Sequence, residues 1–335
     1  LTHLYGAWAR EAQVDHTLLT HGSKSIESTR EVRTTHTENP AFLLTLNSDS
    51  FSETCGEVIA GALAWSGNFR LNFEVDEFDV LTGLAGANPN ASEYRLRPGE
   101  TFTTPEMIYT HSFCGAGGAS RNLHDWARNY GVWHGHTYAP TLLNSWEGAY
   151  FTFDAKTLTD MIDDAADMGL EMFVLDDGWF GNKYPRNDAN AGLGDWQVNA
   201  KKLPEGIDYI ASYAHQKGMK FGIWIEPEMA NTTSELYEKH PEWVLKAPNR
   251  EIVLGRGGTQ VVLDLSNPEV QDFIFGIVDN LMTTYPEIDY IKWDANMSIL
   301  NHGSQYLPSD QQSHMYIEYH EGFKKVCERI RAKYP

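Results

Sequence analysis

The stretch Asp289-Tyr-Ile-Lys-Trp-Asp-Ala-Asn296 gathers residue types suited to nucleophilic chemistry. On an extended strand successive side chains alternate between faces, so Lys292, Asp294 and Asn296 share one face while Trp293 and Ala295 take the other. A carboxylate flanked by an ammonium and an amide is favoured in its ionised form, the form that attacks an electron-poor carbon such as the anomeric centre of a sugar. Taken alone, the same pattern is a Lys–Asp ion pair at a strand end.

Other segments offer partners for that carboxylate. Ile223-Trp-Ile-Glu-Pro-Glu228 places Trp224 and Glu226 on a common strand face, a stacking platform beside an acid. Asp176 and Asp177 follow the apolar run 172–175 and precede Gly178; adjacent strand residues diverge, so both reach one ligand only if the chain bends there, which glycine permits. Paired carboxylates accept hydrogen bonds from neighbouring hydroxyls. A divalent cation is their other reading, but no His-x-His or Glu-x-x-His set converges with them, and one carboxylate pair holds magnesium poorly; the sequence thus calls for no metal and no cofactor. Arg256, inside Gly255-Arg-Gly-Gly258, either bonds a ligand or is solvated. Trp146 either stacks on a ring or seals the end of its strand. Asp264 is structural or functional with equal claim, and His134 and His136 read as surface or packing residues.

These residues need a scaffold that brings strand ends together. From about residue 140 strands alternate with helices, the grammar of βα units. Apolar runs end at Asn144-Ser-Trp146, Asp176-Asp177, Glu226-Pro-Glu228, Asp264 and Asp294-Ala-Asn296, with helical periodicity at 157–168, 206–217, 268–284 and 311–333. Five strand-like segments, each ending in polar residues, form what one face of a (β/α)8 TIM barrel presents to a ligand, and the Gly-x-Gly-x-x-Gly turn of a doubly wound sheet is missing. The fold class is therefore α/β, a barrel over 140–335 that is incomplete at its C-terminal end. Residues 1–112 read as part of an antiparallel β-sandwich, from alternating segments at 41–46, 57–65 and 69–75, a hairpin turn at Ser66-Gly67-Asn68, and a second hairpin, 94–96 with 101–108, about Pro98-Gly99. Residues 113–139 read as a linker, in which a glycine-rich hook at 115–118 leads to a helix near 122–130.

The formal net charge of −20 disfavours phosphate backbones and anionic membranes, so neither nucleic acid nor membrane is an expected partner. Ten tryptophans suit the apolar faces of sugars, though they also fill cores. Cys55, Cys114 and Cys327 are too scattered for a disulfide scaffold or zinc site and are expected as buried thiols. No apolar run is long enough to span a bilayer. The opening LTHLYGAWAR lacks the apolar core of a signal peptide, while Leu1 in place of Met leaves room for a removed leader.

Four words in order, Leu-Asp-Asp-Gly-Trp-Phe-Gly (175–181), Trp-Ile-Glu-Pro-Glu-Met (224–229), Leu-Asp-Leu-Ser-Asn-Pro (263–268) and Tyr-Ile-Lys-Trp-Asp-Ala-Asn (290–296), resemble glycoside hydrolase family 36, the bacterial and fungal α-galactosidases. Leu-Tyr-Gly-Ala-Trp-Ala-Arg-Glu (4–11) resembles part of that family's N-terminal β-supersandwich, so the likeness spans essentially the whole chain. The resemblance implies metal-independent, retaining hydrolysis of terminal α-galactosyl residues, as in melibiose and raffinose. Asp294 matches the nucleophile and Lys292 and Asn296 its flanking sugar ligands. Asp176 and Asp177 match the pair on the galactose 4- and 6-hydroxyls; Trp146, Trp224 and Arg256 match further subsite residues. It also implies a homo-oligomer, often tetrameric, and an intracellular protein.

One departure stands out. The family's acid/base is an aspartate on a later barrel strand, shortly after a Cys-Ser-Ser-Gly-Gly-Gly type segment that this sequence lacks. A retaining glycosidase needs a second carboxyl roughly 5–5.5 Å from the nucleophile. Asp195, Glu226 and Glu228 are the carboxyls available, and the sequence selects none of them. The expectation is a fragment without the last barrel strands. An α-N-acetylgalactosaminidase, a raffinose-synthase-like transferase and a non-catalytic galactose binder share the scaffold as alternatives.

Overall fold

The computed structural model describes residues 1–46, 51–300 and 302–335, which form two compact units, Leu1–Tyr138 and Ala139–Pro335. The first is a sandwich of two antiparallel sheets. Its strands are β1 (Thr2–Ala7), β2 (Arg10–His16), β3 (Gly22–Glu27), β4 (Glu38–Thr45), β5 (Val58–Ala64), β6 (Phe69–Val75), β7 (Leu81–Ala87) and β8 (Glu106–Ser112). One sheet has the order β2-β1-β4-β5-β8 and the other β3-β6-β7. Phe69, Leu71 and Phe73 alternate inward along β6 and meet Ile26, Leu44 and Leu63, so period-two patterning yields one apolar layer between the sheets.

Both expected hairpins are corrected. Ser66-Gly67-Asn68 does not join paired strands: β5 is already flanked by β4 and β8, so the chain crosses there to the other sheet and pairs β6 with β3 and β7. Residues 94–96 form no strand, and β8 pairs with β5 instead. The glycine-rich hook is itself the start of a helix, α1 (Gly115–Trp126), which runs on through a π-helical turn at Ala127–Gly131. A Cβ on Gly117 would sit 2.3 Å from Glu53 Oε1 and 2.9 Å from its carbonyl oxygen, so the glycine permits close packing. Ala119 of α1 packs with Val58 and Ala60 of β5. Cys55 and Cys114 are exposed, contrary to expectation, whereas Cys327 is half-buried, and burial pushes its thiol up to about 11.

The second unit alternates β9 (Leu142–Asn144), α2 (Trp146–Ala149), α3 (Ala155–Asp167), β10 (Met172–Leu175), α4 (Gly206–Gln216), β11 (Lys220–Ile225), β12 (Met229–Asn231), α5 (Glu235–Lys239), β13 (Gln260–Val262), α6 (Pro268–Thr284), β14 (Tyr290–Trp293) and α7 (Met315–Lys333). Local chemistry sets the helix starts. Asp154 accepts from Thr157 N to cap α3, and Asn267 accepts from Glu269 N to cap α6, with Pro268 in its first turn.

Four parallel strands in the order β9-β10-β11-β14 make the barrel-like sheet. β10 is buried along its whole length, as a parallel strand covered on both faces must be. Phe173, Leu175, Phe221 and Ile223 pack against Leu158 and Ile162 of α3, Ile207 and Ile210 of α4, and Ile277 and Leu281 of α6. Each such fully buried side chain contributes about 1.5–3 kcal/mol relative to exposure. The expected strand ending at Asp264 is corrected: β13 leaves this sheet and pairs antiparallel with β12 in a separate ribbon.

Candidate active site

The carboxylates of the sequence motifs sit just past the C-terminal ends of β10, β11 and β14. At β10 the chain bends at Gly178, whose φ of +110° an L side chain rarely adopts. Asp176 and Asp177 are both buried, yet they face different partners. Asp176 Oδ2 accepts from Lys292 Nζ at 2.7 Å and from Asn144 Nδ2 at 2.6 Å, and the Asp176 amide donates to Ser145 Oγ at 2.9 Å. Asp177 takes a two-pronged grip from Arg186, with Nε to Oδ1 at 2.9 Å and Nη2 to Oδ2 at 2.8 Å. Arg186 is only 1% exposed, and its remaining nitrogen donates to Asn231 Oδ1 at 2.9 Å. Burial pushes the Asp177 carboxyl above the ordinary carboxylate range, and the Arg186 bonds oppose that rise.

Lys202 ties this bend together by donating to the carbonyls of Phe151 at 2.9 Å, Gly178 at 2.8 Å and Arg186 at 3.0 Å. Burial brings its ammonium down to about 8.

At β14, Asp294 continues the ladder for one more bond, its amide donating to Ile225 O at 2.8 Å. Its Oδ2 accepts from Trp224 Nε1 at 3.0 Å and from Asn296 Nδ2 at 2.6 Å, while Oδ1 accepts only the Ala295 amide at 3.0 Å among the described residues. The flanking amide therefore reaches Asp294 as the strand face predicts. The ammonium does not: Lys292 forms its ion pair with Asp176, across β11, because its long stem carries the charge beyond its own strand.

Trp224 is not an open stacking platform. It is 2% exposed, with its ring stacked on Phe180 at 6.2 Å and an interplanar angle of 6°. What it offers Asp294 is its indole N–H, which a buried tryptophan usually places on an acceptor. Glu226 is buried beside it, and Oε1 accepts the Asn296 amide at 2.6 Å. Burial pushes its carboxyl up to about 7, the Asn296 amide pulls it down, and the charge of Asp294 adds to the rise.

The other carboxyls serve the fold. Glu228 accepts from Trp293 Nε1 at 3.0 Å and from the Tyr319 hydroxyl. Asp195 takes the first amides of α5, Glu235 N at 2.9 Å and Leu236 N at 3.0 Å. Asp264 is knotted to Ser266 Oγ at 2.5 Å and to Ser304 Oγ.

Trp146 is half-buried in α2, edge-on to Tyr150 and Phe151. Its amide donates at 2.8 Å to Asn144 Oδ1, the residue that also holds Asp176. Arg256 is exposed on its loop at φ +47°, and among the described residues its side chain forms no hydrogen bond or ion pair with the cluster. Among the described residues no group of three or more metal-binding side chains occurs, and no helix is long and apolar enough to cross a membrane. Sequence reasoning missed Asn144, Arg186, Lys202 and Asn231. A buried guanidinium leaves no mark in a polar loop such as Tyr184-Pro-Arg-Asn187, whereas Asn144 stood in plain view at a strand end.

Buried carboxylates matched to cations or amides, beside the half-buried Asp294 with one lightly bonded oxygen, suit recognition of a polyhydroxylated neutral ligand beside a nucleophile. Comparison with known proteins bears on this. Residues 101–335 match the Melibiase family and residues 1–97 the glycosyl hydrolase family 36 N-terminal domain. The chain is 38% identical over 336 residues to alpha-galactosidase AgaA of Geobacillus stearothermophilus, covering 99% of this chain and 45% of that protein. It is 37% identical over 334 residues to alpha-galactosidase Mel36A of Lactobacillus acidophilus, covering 44% of that protein. A crystal structure of an AgaA variant with raffinose superposes with a TM-score of 0.94 at 37% identity, covering 100% of this chain and 46% of that one. The chain thus spans less than half the length of these relatives.

Proposed function

The chain belongs to glycoside hydrolase family 36, the melibiase family, and on that premise we propose that it supplies the nucleophilic and sugar-gripping half of a retaining α-galactosidase site. The observation that carries the reading is the asymmetry of Asp294: Oδ2 is held by Trp224 and Asn296, and Oδ1 accepts only the Ala295 amide among the described residues. In the first step Oδ1 forms a bond to the anomeric carbon while the bond to the leaving oxygen breaks, and a second carboxyl donates the proton that oxygen needs. Asp195, Glu226 and Glu228 are not assigned that proton, since each already bonds a backbone amide or a neighbouring side chain. Water, giving a proton back to that second carboxylate, then attacks the anomeric carbon of the galactosyl ester, releases the sugar with its original configuration and restores Asp294.

Asp176, Asp177 and Lys292 select the sugar. A buried carboxylate arranged to accept from an axial hydroxyl is left underpaired by the epimer that lacks it, at a cost of about 1–3 kcal/mol per group. Substrates of this reading are α-galactosides such as raffinose, the sugar bound by the AgaA variant. The test is the hydrolysis of dinitrophenyl α-galactoside by the chain, followed by proton NMR. The α-anomer of galactose appears first if the reading holds; first appearance of the β-anomer overturns it, as does the absence of both turnover and a galactosyl ester on Asp294 by peptide mass.

A further inference from the structure

We infer that Glu226 is a positioning residue for Asp294: by accepting the Asn296 backbone amide it fixes the turn that anchors Oδ2 and leaves Oδ1 as the attacking oxygen. This rests on the assignment of Asp294 as nucleophile and adds to it which oxygen attacks and what holds the other.

β14 ends at Trp293, and among the described residues the ladder gives residues 295 and 296 no further support after the bond from Asp294 N to Ile225 O. A free turn would let the carboxylate rotate. Three contacts prevent it, two of them delivered by β11 and the residue just beyond. Trp224 and Glu226, alternate along that extended segment, reach the same turn: Trp224 Nε1 bonds Oδ2 at 3.0 Å, and Glu226 Oε1 bonds Asn296 N at 2.6 Å. With its backbone so held, Asn296 sets its own Nδ2 on Oδ2 at 2.6 Å. A carboxylate oxygen that accepts two well-formed bonds has its lone-pair directions occupied. Oδ1, bonded only to the neighbouring Ala295 amide at 3.0 Å among the described residues, retains one.

Glu226 also carries charge. The charged groups that bear on it are Asp294, after β14, and Asp177, after β10, and both raise its affinity for a proton. When ionised, Glu226 adds a second negative charge near the nucleophile, which favours a transition state with positive charge on the sugar ring. Galactosylation of Asp294 therefore speeds up as pH rises through about 7, where Glu226 loses its proton.

The test uses 5-fluoro-α-galactosyl fluoride. Oδ1 forms the ester bond as the carbon–fluorine bond breaks and fluoride leaves with the electron pair, so no proton donor is required. Labelling is followed by intact mass and peptide mapping between pH 5 and 9 for the full chain and for Glu226→Gln and Glu226→Asp, each checked for cooperative melting. Glu226→Gln keeps an acceptor but not the charge: it labels the same residue about tenfold or more slowly at pH 8, and its rate shows no step near neutral pH. Glu226→Asp titrates but no longer reaches the Asn296 amide: it labels slowly and keeps a step, which also serves if the glutamine variant does not fold. Parental labelling rates in Glu226→Asp overturn the positioning inference alone, and parental rates with an unchanged step in Glu226→Gln overturn the role of its charge. Failure of the parent to take label at Asp294 overturns the nucleophile assignment and this inference with it.

Discussion

Lys292 Nζ lies 2.7 Å from Asp176 Oδ2, an ion pair that spans from β14 to β10 over the intervening β11. It makes one site of two motifs 116 residues apart. The Asp176 side chain is 5% exposed and that of Lys292 38%, so the carboxylate depends on the cation more than the reverse. Lys292→Met leaves the acid with Asn144 and backbone partners only. Expected is a loss of about 1–3 kcal/mol in folding stability, together with weaker galactose binding, read by urea titration and calorimetry. An unchanged urea midpoint and unchanged affinity would remove Lys292 from the site.

Asp294→Asn preserves shape and the Trp224 bond but not the nucleophile. In the enzyme assayed with an activated aryl galactoside, kcat should fall at least about 10³-fold, and added azide should restore turnover as β-galactosyl azide. Activity within about tenfold of the parent would exclude Asp294 from covalent chemistry.

Arg186 tests whether Asp177 belongs to the ligand or to the fold. The pair is almost fully buried, with side chains 1% and 8% exposed, so Arg186→Met strands a carboxylate in the interior. A loss of about 3–5 kcal/mol is expected, measured by denaturant unfolding, and Asp177→Asn in the same chain should recover part of it. Asp177→Asn alone, with Arg186 intact, should weaken galactose by about 2–4 kcal/mol if a ligand hydroxyl shares the carboxylate. Lower melting with intact galactose affinity would make the pair purely structural.

The position of these groups was only partly legible in the sequence. Strand ends are visible because an apolar run stops at a polar residue, and Asp176, Glu226 and Asp294 lie where such runs stop. Alternation along 292–296 foretold that Asn296 reaches Asp294, a local relation fixed by one strand. Alternation could not foretell that Lys292 chooses Asp176, because that partner depends on strand order, which no single segment encodes. Residues 260–264 read like another barrel strand for the same reason: a short apolar run looks alike whether it pairs in parallel with β11 or antiparallel with β12. Arg186 was invisible because its burial follows from the fold of the loop around it.

Glu226 links the site to stability. Its carboxyl titrates near 7 in the folded chain against an ordinary 4.5, because burial disfavours the charge. Between those values the folded state keeps a proton that the unfolded state releases, so stability falls as pH climbs from about 4.5 to about 7 and then levels off. The drop is on the order of 3 kcal/mol for such a shift. Glu226→Gln cannot titrate, so its melting temperature should lose less than the parent's between pH 5 and pH 8 in matched thermal scans. Parallel curves for the two proteins would show that Glu226 is not the group responsible.

Gly178 is where the Asp176–Asp177 pair depends on backbone shape. At φ +110° an added Cβ would stand 3.2 Å from the Phe153 ring, 3.3 Å from the Phe151 ring and 3.5 Å from the Arg186 carbonyl oxygen. The strained conformation alone costs an L residue about 1–3 kcal/mol. Relief requires the bend to open, and the bend sets the neighbouring Asp177 against Arg186 and holds the Gly178 carbonyl on Lys202 at 2.8 Å. Gly178→Ala should therefore lower the melting temperature and weaken galactose together, whereas an exposed control such as Gly276→Ala in α6, whose Cβ would meet nothing within 4 Å, should do neither. If Gly178→Ala melts early but binds galactose at parental strength, the bend serves folding alone, and Asp177 holds its place without it.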